Sequence, residues 1–398
     1  MLPIIAAVCM TLCTGPQYRS PYGNWLFPHG GGQNGYADYL RAADFYRAHT
    51  TSKQRDVGFT APYDNMKAWS LLIDRSEPAL KLIASGNMKS VSDPRTTFDE
   101  TTLFPEYADF KALEKILAAK AYRLAKNGHS REATDCLLEG LKFSEKMPPV
   151  NLISYLISIA GGAIQCRSAY MCLPYLAPAD LKRVSACASQ GHDQRRKLER
   201  TLNSELNHIC KRSIVLIDTK FGAKHDESYF EPIPDPEPEV DTNEKWEAVK
   251  KQSMDSIKSA SKDALRKYAQ EEQTYTSDTE AEIHHYLAGP ETRWSRISLR
   301  RPKDPALWLF YYSFQDFVIK NVTGAAARHD SQIRLLRSNC ILRLYNHDHR
   351  HYPKTLGELG QTTLTVDPRT EREFEYALTP NGYTLGMYAE GSLKPKVY

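Results

Sequence analysis

Two Glu-x-x-His pairs, Glu205 with His208 and Glu282 with His285, are the residues of this chain best spaced for chemistry. On a helix the two members of such a pair share a face. Bundles that hold two metal ions use two such pairs together with two further glutamates. No pattern marks those further glutamates here, and Gly289-Pro290 ends the second helix soon after His285. Pairs at this spacing also arise readily by chance. The four residues therefore carry an alternative reading, a metal-dependent hydrolase or oxidase, and not the main one. His347-x-His349-x-His351 is a second set. In an extended segment alternate residues point the same way, so three imidazoles would make a metal clip. At a helix C-terminus the same histidines would instead complement the dipole and stay exposed. His29-Gly30-Gly31-Gly32 has the form of an esterase oxyanion loop, but the Gly-x-Ser-x-Gly elbow such enzymes need is missing, which leaves a surface turn.

The remaining chemistry-bearing residues are less specific. The chain has eight cysteines, and Cys136, Cys166, Cys172, Cys187, Cys210 and Cys340 form no C-x-x-C pair and no zinc spacing. Buried free thiols are expected, with one disulfide open if the chain is exported. There is no P-loop, dinucleotide fingerprint or His-Glu-x-x-His motif, so no cofactor is expected and no reaction can be named.

The elements that would position these residues are mostly helices. Phe110, Leu113, Leu117, Ala121 and Leu124 recur at helical spacing, and Gly128 closes the run. Ala133, Leu137, Gly140, Leu141 and Ser144 make a second helix with small residues where two helices would touch. The phrase from Ala119 to Leu141 resembles a tetratricopeptide helix pair, although only one unit is clear and stacked repeats need about three. A helical bundle with a repeat-like hairpin is the reading. Asn151 to Leu173 is a nearly uncharged helix, read as broken by Gly161-Gly162 and as a buried central helix. Further helices are expected after Pro178-Ala179-Asp180, from Gln194 to about Ile217, and along the stripe from Trp246 to Tyr268. Between them, Glu231 to Glu239 alternates proline with acid and suits an extended linker. The aromatic cluster Trp308, Phe310, Tyr311, Tyr312, Phe314 and Phe317 would join the bundle to the C-terminal domain.

In the last seventy residues a helical stripe of Ile333, Leu336, Cys340, Ile341, Leu344 and Tyr345 leaves Arg334, Arg337 and Arg343 wet. Tyr352-Pro353 forces that helix to end by about His351. Phe374, Tyr376 and Leu378 then alternate, Asn381-Gly382 is a strong hairpin signal, and Tyr383, Leu385 and Met387 alternate again. The pattern reads as helix, loop and antiparallel hairpin, with Leu336, Ile341, Leu344, Phe374, Tyr376 and Tyr383 buried together. The order Arg350-His351-Tyr352-Pro353, Thr355-Leu356-Gly357-Glu358-Leu359, Asp367-Pro368-Arg369-Thr370, Phe374-Glu375-Tyr376, Asn381-Gly382-Tyr383 resembles the soluble domain of the major pseudopilin of type II secretion. It is also similar to the C-terminal end of uncharacterised bacterial proteins that carry such a domain behind a helical region. The resemblance implies that fold and an extracytoplasmic setting. Where the major pseudopilins bind calcium, Met387 to Ser392 offers a single carboxylate, too few oxygens for the ion.

At 398 residues, 41% hydrophobic and 25% charged, the chain can bury two or three cores. A net charge of +4 gives no reason to invoke nucleic acid, and Arg195-Arg196-Lys197 and Arg300-Arg301 lack a recognition motif. Leu2 to Leu12 is an apolar run of signal-peptide length without a preceding cation. The expected organisation is a signal peptide or membrane anchor over 1–20, a helical bundle over 21–225, and a Pro/acid-rich linker over 226–245. A helical continuation spans 246–324, and a small α+β domain spans 325–398. The expected function is an extracytoplasmic or membrane-tethered interaction or scaffold protein. Its partner surface would lie on the helical region near Tyr107, Tyr122 and Tyr311, where partly buried aromatics dominate binding energy.

Overall fold

The computed structural model describes residues 34–57, 65–95, 104–189, 196–206, 262–288, 299, 319–360, 365–387 and 396–397. The N-terminal apolar run, the His29 loop, the 226–245 linker, the stripe from Trp246 onward to 261, Cys210 and the cluster around Tyr311 lie outside these residues. Helices α1 (Gly35–His49), α2 (Ser52–Val57), α3 (Met66–Asn87), α4 (Glu106–Lys126), α5 (Ser130–Lys146), α6 (Leu152–Cys172) and α7 (Pro178–Ser189) come first. They are followed by α8 (196–206), α9 (Lys262–Ala288) and α10 (Lys320–His349). The fold is mainly α, a helical bundle completed by a small C-terminal strand module.

Local chemistry sets the helix ends. Asn34 accepts from Tyr36 N at 3.0 Å to start α1. Gly128 takes φ 85 after α4, with Gly128 N bonded to Ala125 O and His129 N to Leu124 O, each at 3.0 Å. That pair of bonds is the Schellman turn expected of the glycine, and it lets α5 fold back on α4. Asn151 and Ser154 form a reciprocal capping box at the head of α6.

α6 runs through the centre of the bundle against α4, α5 and α10. It is continuous across Gly161-Gly162, where a break was expected. The glycines mark close approach instead. A Cβ at Gly161 would sit 3.0 Å from Glu114 Oε1, and one at Gly162 would sit 2.3 Å from His329 Cε1. Gly140 of α5 is equally tight, since its Cβ would meet Gln165 Cδ at 2.3 Å. With its adjoining 3₁₀ turn, the segment Leu152–Tyr175 is long and apolar enough to cross a membrane by length and composition, yet 56% of its apolar window is buried inside the protein.

α10 differs from its sequence reading in an instructive way. Its expected stripe, Ile333, Leu336 and Cys340 with Leu344 at the edge, packs into the core formed by α5, α6 and α7, not onto the hairpin. A second stripe, Leu335 and Leu342, meets Leu356, Phe374, Leu385 and Met387 of the strand module. The helix is covered on two sides, which a one-stripe reading cannot anticipate. The arginines between the stripes are consequently half-buried and not wet. Arg334 pairs with Asp330 at 3.1 Å, and Nε of Arg337 and of Arg343 are both buried.

Strands β1 (Val366–Asp367) and β2 (Arg372–Glu373) form a short antiparallel pair. β3 (Glu375–Thr379), β4 (Gly382–Met387) and β5 (Lys396–Val397) form an antiparallel sheet in the order β3-β4-β5. Thr379 pairs with Gly382, so the turn residues are Pro380 and Asn381, one position earlier than Asn381-Gly382. Gly382, at φ 149, absorbs the positive angle that the expected turn would have placed on the asparagine.

Candidate functional site

A cluster of buried and partly buried polar groups lies where α6, α10 and β1 meet. Asp367 is fully buried. Its Oδ1 accepts from Ser331 Oγ at 2.6 Å and from Arg369 N at 2.9 Å, while its backbone oxygen receives Thr370 N and Glu371 N. The Asp-Pro-Arg-Thr turn is thereby shaped by its own aspartate and pinned to α10. Proline at 368 fits this turn, where no ladder N–H is required.

Beside Ser331 on α10, Asp330 lies within reach of both Asp367 and Arg334. Burial, with the Asp367 charge adding to it, pushes its carboxyl up to about 6. Arg334 Nε is 3.1 Å from Asp330 Oδ2, close enough to pair but not aligned as a hydrogen bond. Across the interface the Tyr155 hydroxyl of α6 is fully buried without a hydrogen-bond partner, and burial together with Asp330 raises its pKa. His329 packs over Gly162 beside them. The cluster holds two acids, one guanidinium and a phenol, with Asp330 Oδ2, Asp367 Oδ2 and Tyr155 Oη all buried and unbonded. A donor set of this kind can share protons or order water. Among the described residues no group of three or more His, Cys, Asp or Glu has metal-holding geometry.

A contrasting acid lies in the middle of the bundle. Glu114 is 3% exposed, and burial holds its carboxyl well above the usual range, with the Gln165 amide pulling the other way. Gln165 Nε2 donates to Glu114 Oε2 at 2.6 Å and to Glu114 O at 2.8 Å. A third buried set joins α1 to α4. There Arg95 Nη2 donates to Glu106 Oε1 at 2.6 Å and to Tyr36 Oη at 2.9 Å, and the guanidinium stacks 4.2 Å over Phe104.

The fold disperses the residues singled out from sequence. Glu205 of α8 receives the Leu152 backbone N–H at the head of α6. Glu282 and His285 are on α9, where His285 is exposed and lies edge-on to Tyr286 at 6.3 Å. His208 lies outside the described residues. Helices α8 and α9 do pack together through Leu198, Leu202, Leu206, Ile283 and Leu287, with His284 Nδ1 2.6 Å from Glu199 Oε1. Tyr107 and Tyr122 are core residues, 4% and 7% exposed, and Tyr311 is outside the described set. His347 and His349 fall within α10, which ends at His349, so the three histidines do not share an extended segment. Cys136, Cys166, Cys172, Cys187 and Cys340 are free thiols. Burial pushes Cys136 up to about 11 and Cys166, Cys172 and Cys340 up to about 12, so little thiolate is present near neutrality.

Sequence reasoning missed Asp330, Ser331, Arg334, Tyr155 and Glu114. Asp330 and Arg334 stand four apart, a spacing that marks a helical ion pair. Nothing in sequence marks Tyr155 as their neighbour. No protein-family model, no curated protein and no solved structure matches the chain.

Proposed function

We propose that this chain works by contact, as an interaction or scaffold protein of the cell envelope, exported or tethered through its N-terminus. The observation that carries the reading is that several buried or partly buried polar side chains join one element to another. Asp367 fastens β1 to α10, Gln165 fastens α6 to α4, Tyr36 with Arg95 and Glu106 closes α1 onto α4, and Glu205 holds the head of α6. The resemblance of the C-terminal segment to a pseudopilin domain supports the envelope setting.

The contact face proposed carries Tyr175, 43% exposed, and, four residues before it, Met171, 39% exposed. Tyr175 meets the Tyr122 ring edge-on at 6.5 Å, and Lys126 lies 5.8 Å from the same ring. Exposed aromatic and methionine side chains backed by a buried ring are the usual anchors of a protein contact. Capture from the native host with the intact chain as bait tests this face. Tyr175→Glu should lose the captured partner while the melting temperature stays unchanged, and retention of the same partner would remove the face. Export is tested by fusing residues 1 to 40 to a reporter active only outside the cytoplasm, where silence would remove the localisation.

The alternative remains a metal-dependent enzyme built on Glu205, His208, Glu282 and His285. The packing of α8 on α9 favours it, because Glu205 and the Glu282–His285 pair lie on touching helices. A stoichiometric metal lost on changing His208 or Glu282 would support that alternative over the contact reading.

A further inference from the structure

At the C-terminal end of α10, Arg350 takes a left-handed conformation, φ 64, with its N–H bonded to Asn346 O at 2.8 Å. This reversal brings His351 back toward the last helical turn. Its ring centroid lies 5.8 Å from that of Tyr345 and 6.2 Å from that of His349, while His349 stacks on Tyr345 at 4.1 Å. Both imidazoles are exposed.

Each ring has its Nδ1 beside a carbonyl oxygen. His349 Nδ1 is 3.0 Å from Tyr345 O, and His351 Nδ1 is 3.1 Å from Tyr352 O. A carbonyl only accepts, so in the neutral imidazole the proton sits on Nδ1 and the lone pair on Nε2. Backbone carbonyls orient metal-ligating histidines in this same way, fixing the tautomer and the ring. An ion bonded to both Nε2 atoms at about 2.0 to 2.1 Å would place the ring centroids about 5 to 6 Å apart. The observed centroids are 6.2 Å apart, and both side chains are exposed. The partial negative charge of the helix C-terminus favours a cation at this position. His347 is differently engaged, its Nδ1 lying 2.9 Å from Asp348 Oδ1.

We propose that His349 and His351 form a two-imidazole site for a borderline divalent transition-metal ion at the end of α10, with water completing the coordination. Imidazole suits copper, nickel and zinc, and Cu²⁺ heads the affinity order for such ligands. The site is independent of the contact reading and of the two Glu-x-x-His pairs.

The test is a Cu²⁺ titration of the intact, tag-free chain, read by electron paramagnetic resonance at neutral pH. The first ion bound should show hyperfine structure from two nitrogens. His349→Ala and His351→Ala should each lose that signal, His347→Ala should keep it, and excess Zn²⁺ should displace the copper. All three histidines are exposed, and an unchanged melting temperature confirms that each variant folds. A two-nitrogen signal that survives both His349→Ala and His351→Ala, or its absence from the unmodified chain, would overturn the proposal.

Discussion

Two desolvated carboxyl groups, fully buried Glu114 in the middle of the bundle and partly buried Asp330 at its junction with the strand module, keep different company. Glu114 faces a neutral amide that donates to its carboxyl and to its backbone oxygen, in a pocket closed by Gly140 and Gly161. Asp330 faces a second acid, a misaligned guanidinium and a phenol that makes no hydrogen bond. The first arrangement sets a desolvated carboxyl against an amide in close packing. The second adds a neighbouring acid and a guanidinium, so charge as well as burial acts on its carboxyl, while each site keeps an unbonded buried oxygen, Gln165 Oε1 in the first and Asp330 Oδ2 in the second.

Both regions depend first on α10, the helix that serves each of them. Leu336 is buried on the bundle side and Leu342 on the strand side, each at 0% exposure. Leu336→Ala and Leu342→Ala should each cost about 2 to 5 kcal/mol in denaturant unfolding, the range for a buried leucine. Leu344 is only partly buried and should cost less on truncation. A neutral Leu342→Ala would mean that the strand module is not packed on α10.

Next in size is Gln165→Ala. It leaves Glu114 and its carbonyl without their shared donor, and about 1 to 3 kcal/mol of stability should be lost. An unchanged denaturation midpoint would show that water reaches the bundle centre.

Asp330→Asn should have the opposite sign and a smaller size. The Asp330 carboxyl is raised from 3.8 to about 6 in the folded protein, so the native state binds its proton more tightly than the unfolded chain does. Its relative contribution to stability is therefore most favourable below pH 4 and is lost as pH rises through 6. Removing the carboxyl should stabilise the protein by about 1 to 2 kcal/mol at pH 7.5, discounted from the full shift because the ion pair of Asp330 with Arg334 is lost. At pH 4 the gain should vanish. A loss of stability at pH 7.5 would mean that the attraction between Asp330 and Arg334 outweighs the desolvation of the carboxylate.

Much of the helical part could be read from the residues. The Gly128 stop, the small-residue face of α5 and the buried character of α6 follow from periodicity and turn chemistry alone, because each is decided within a few neighbours. The end of α10 before Pro353 is legible for the same reason. The double coverage of α10 is not. Leu335 and Leu342 belong to a second stripe that shows its meaning only when two different surfaces are present. The junction was hidden more completely, since Tyr155, Asp330 and Asp367 are remote in sequence and each looks ordinary in its own segment. Tyr107 and Tyr122 of the expected binding rim are core for a related reason: an aromatic on a helical face reads the same whether a partner or the bundle covers it.

Carboxyl carbon NMR titration of the intact protein, with Glu114 and Asp330 assigned by Glu114→Gln and Asp330→Asn, is the sharpest test of the contrast between the bundle centre and the junction. Glu114 should remain protonated well above the usual carboxylate range, and Asp330 should titrate near 6. Titration of both groups near pH 4 would contradict that contrast, because it would place both acids in water.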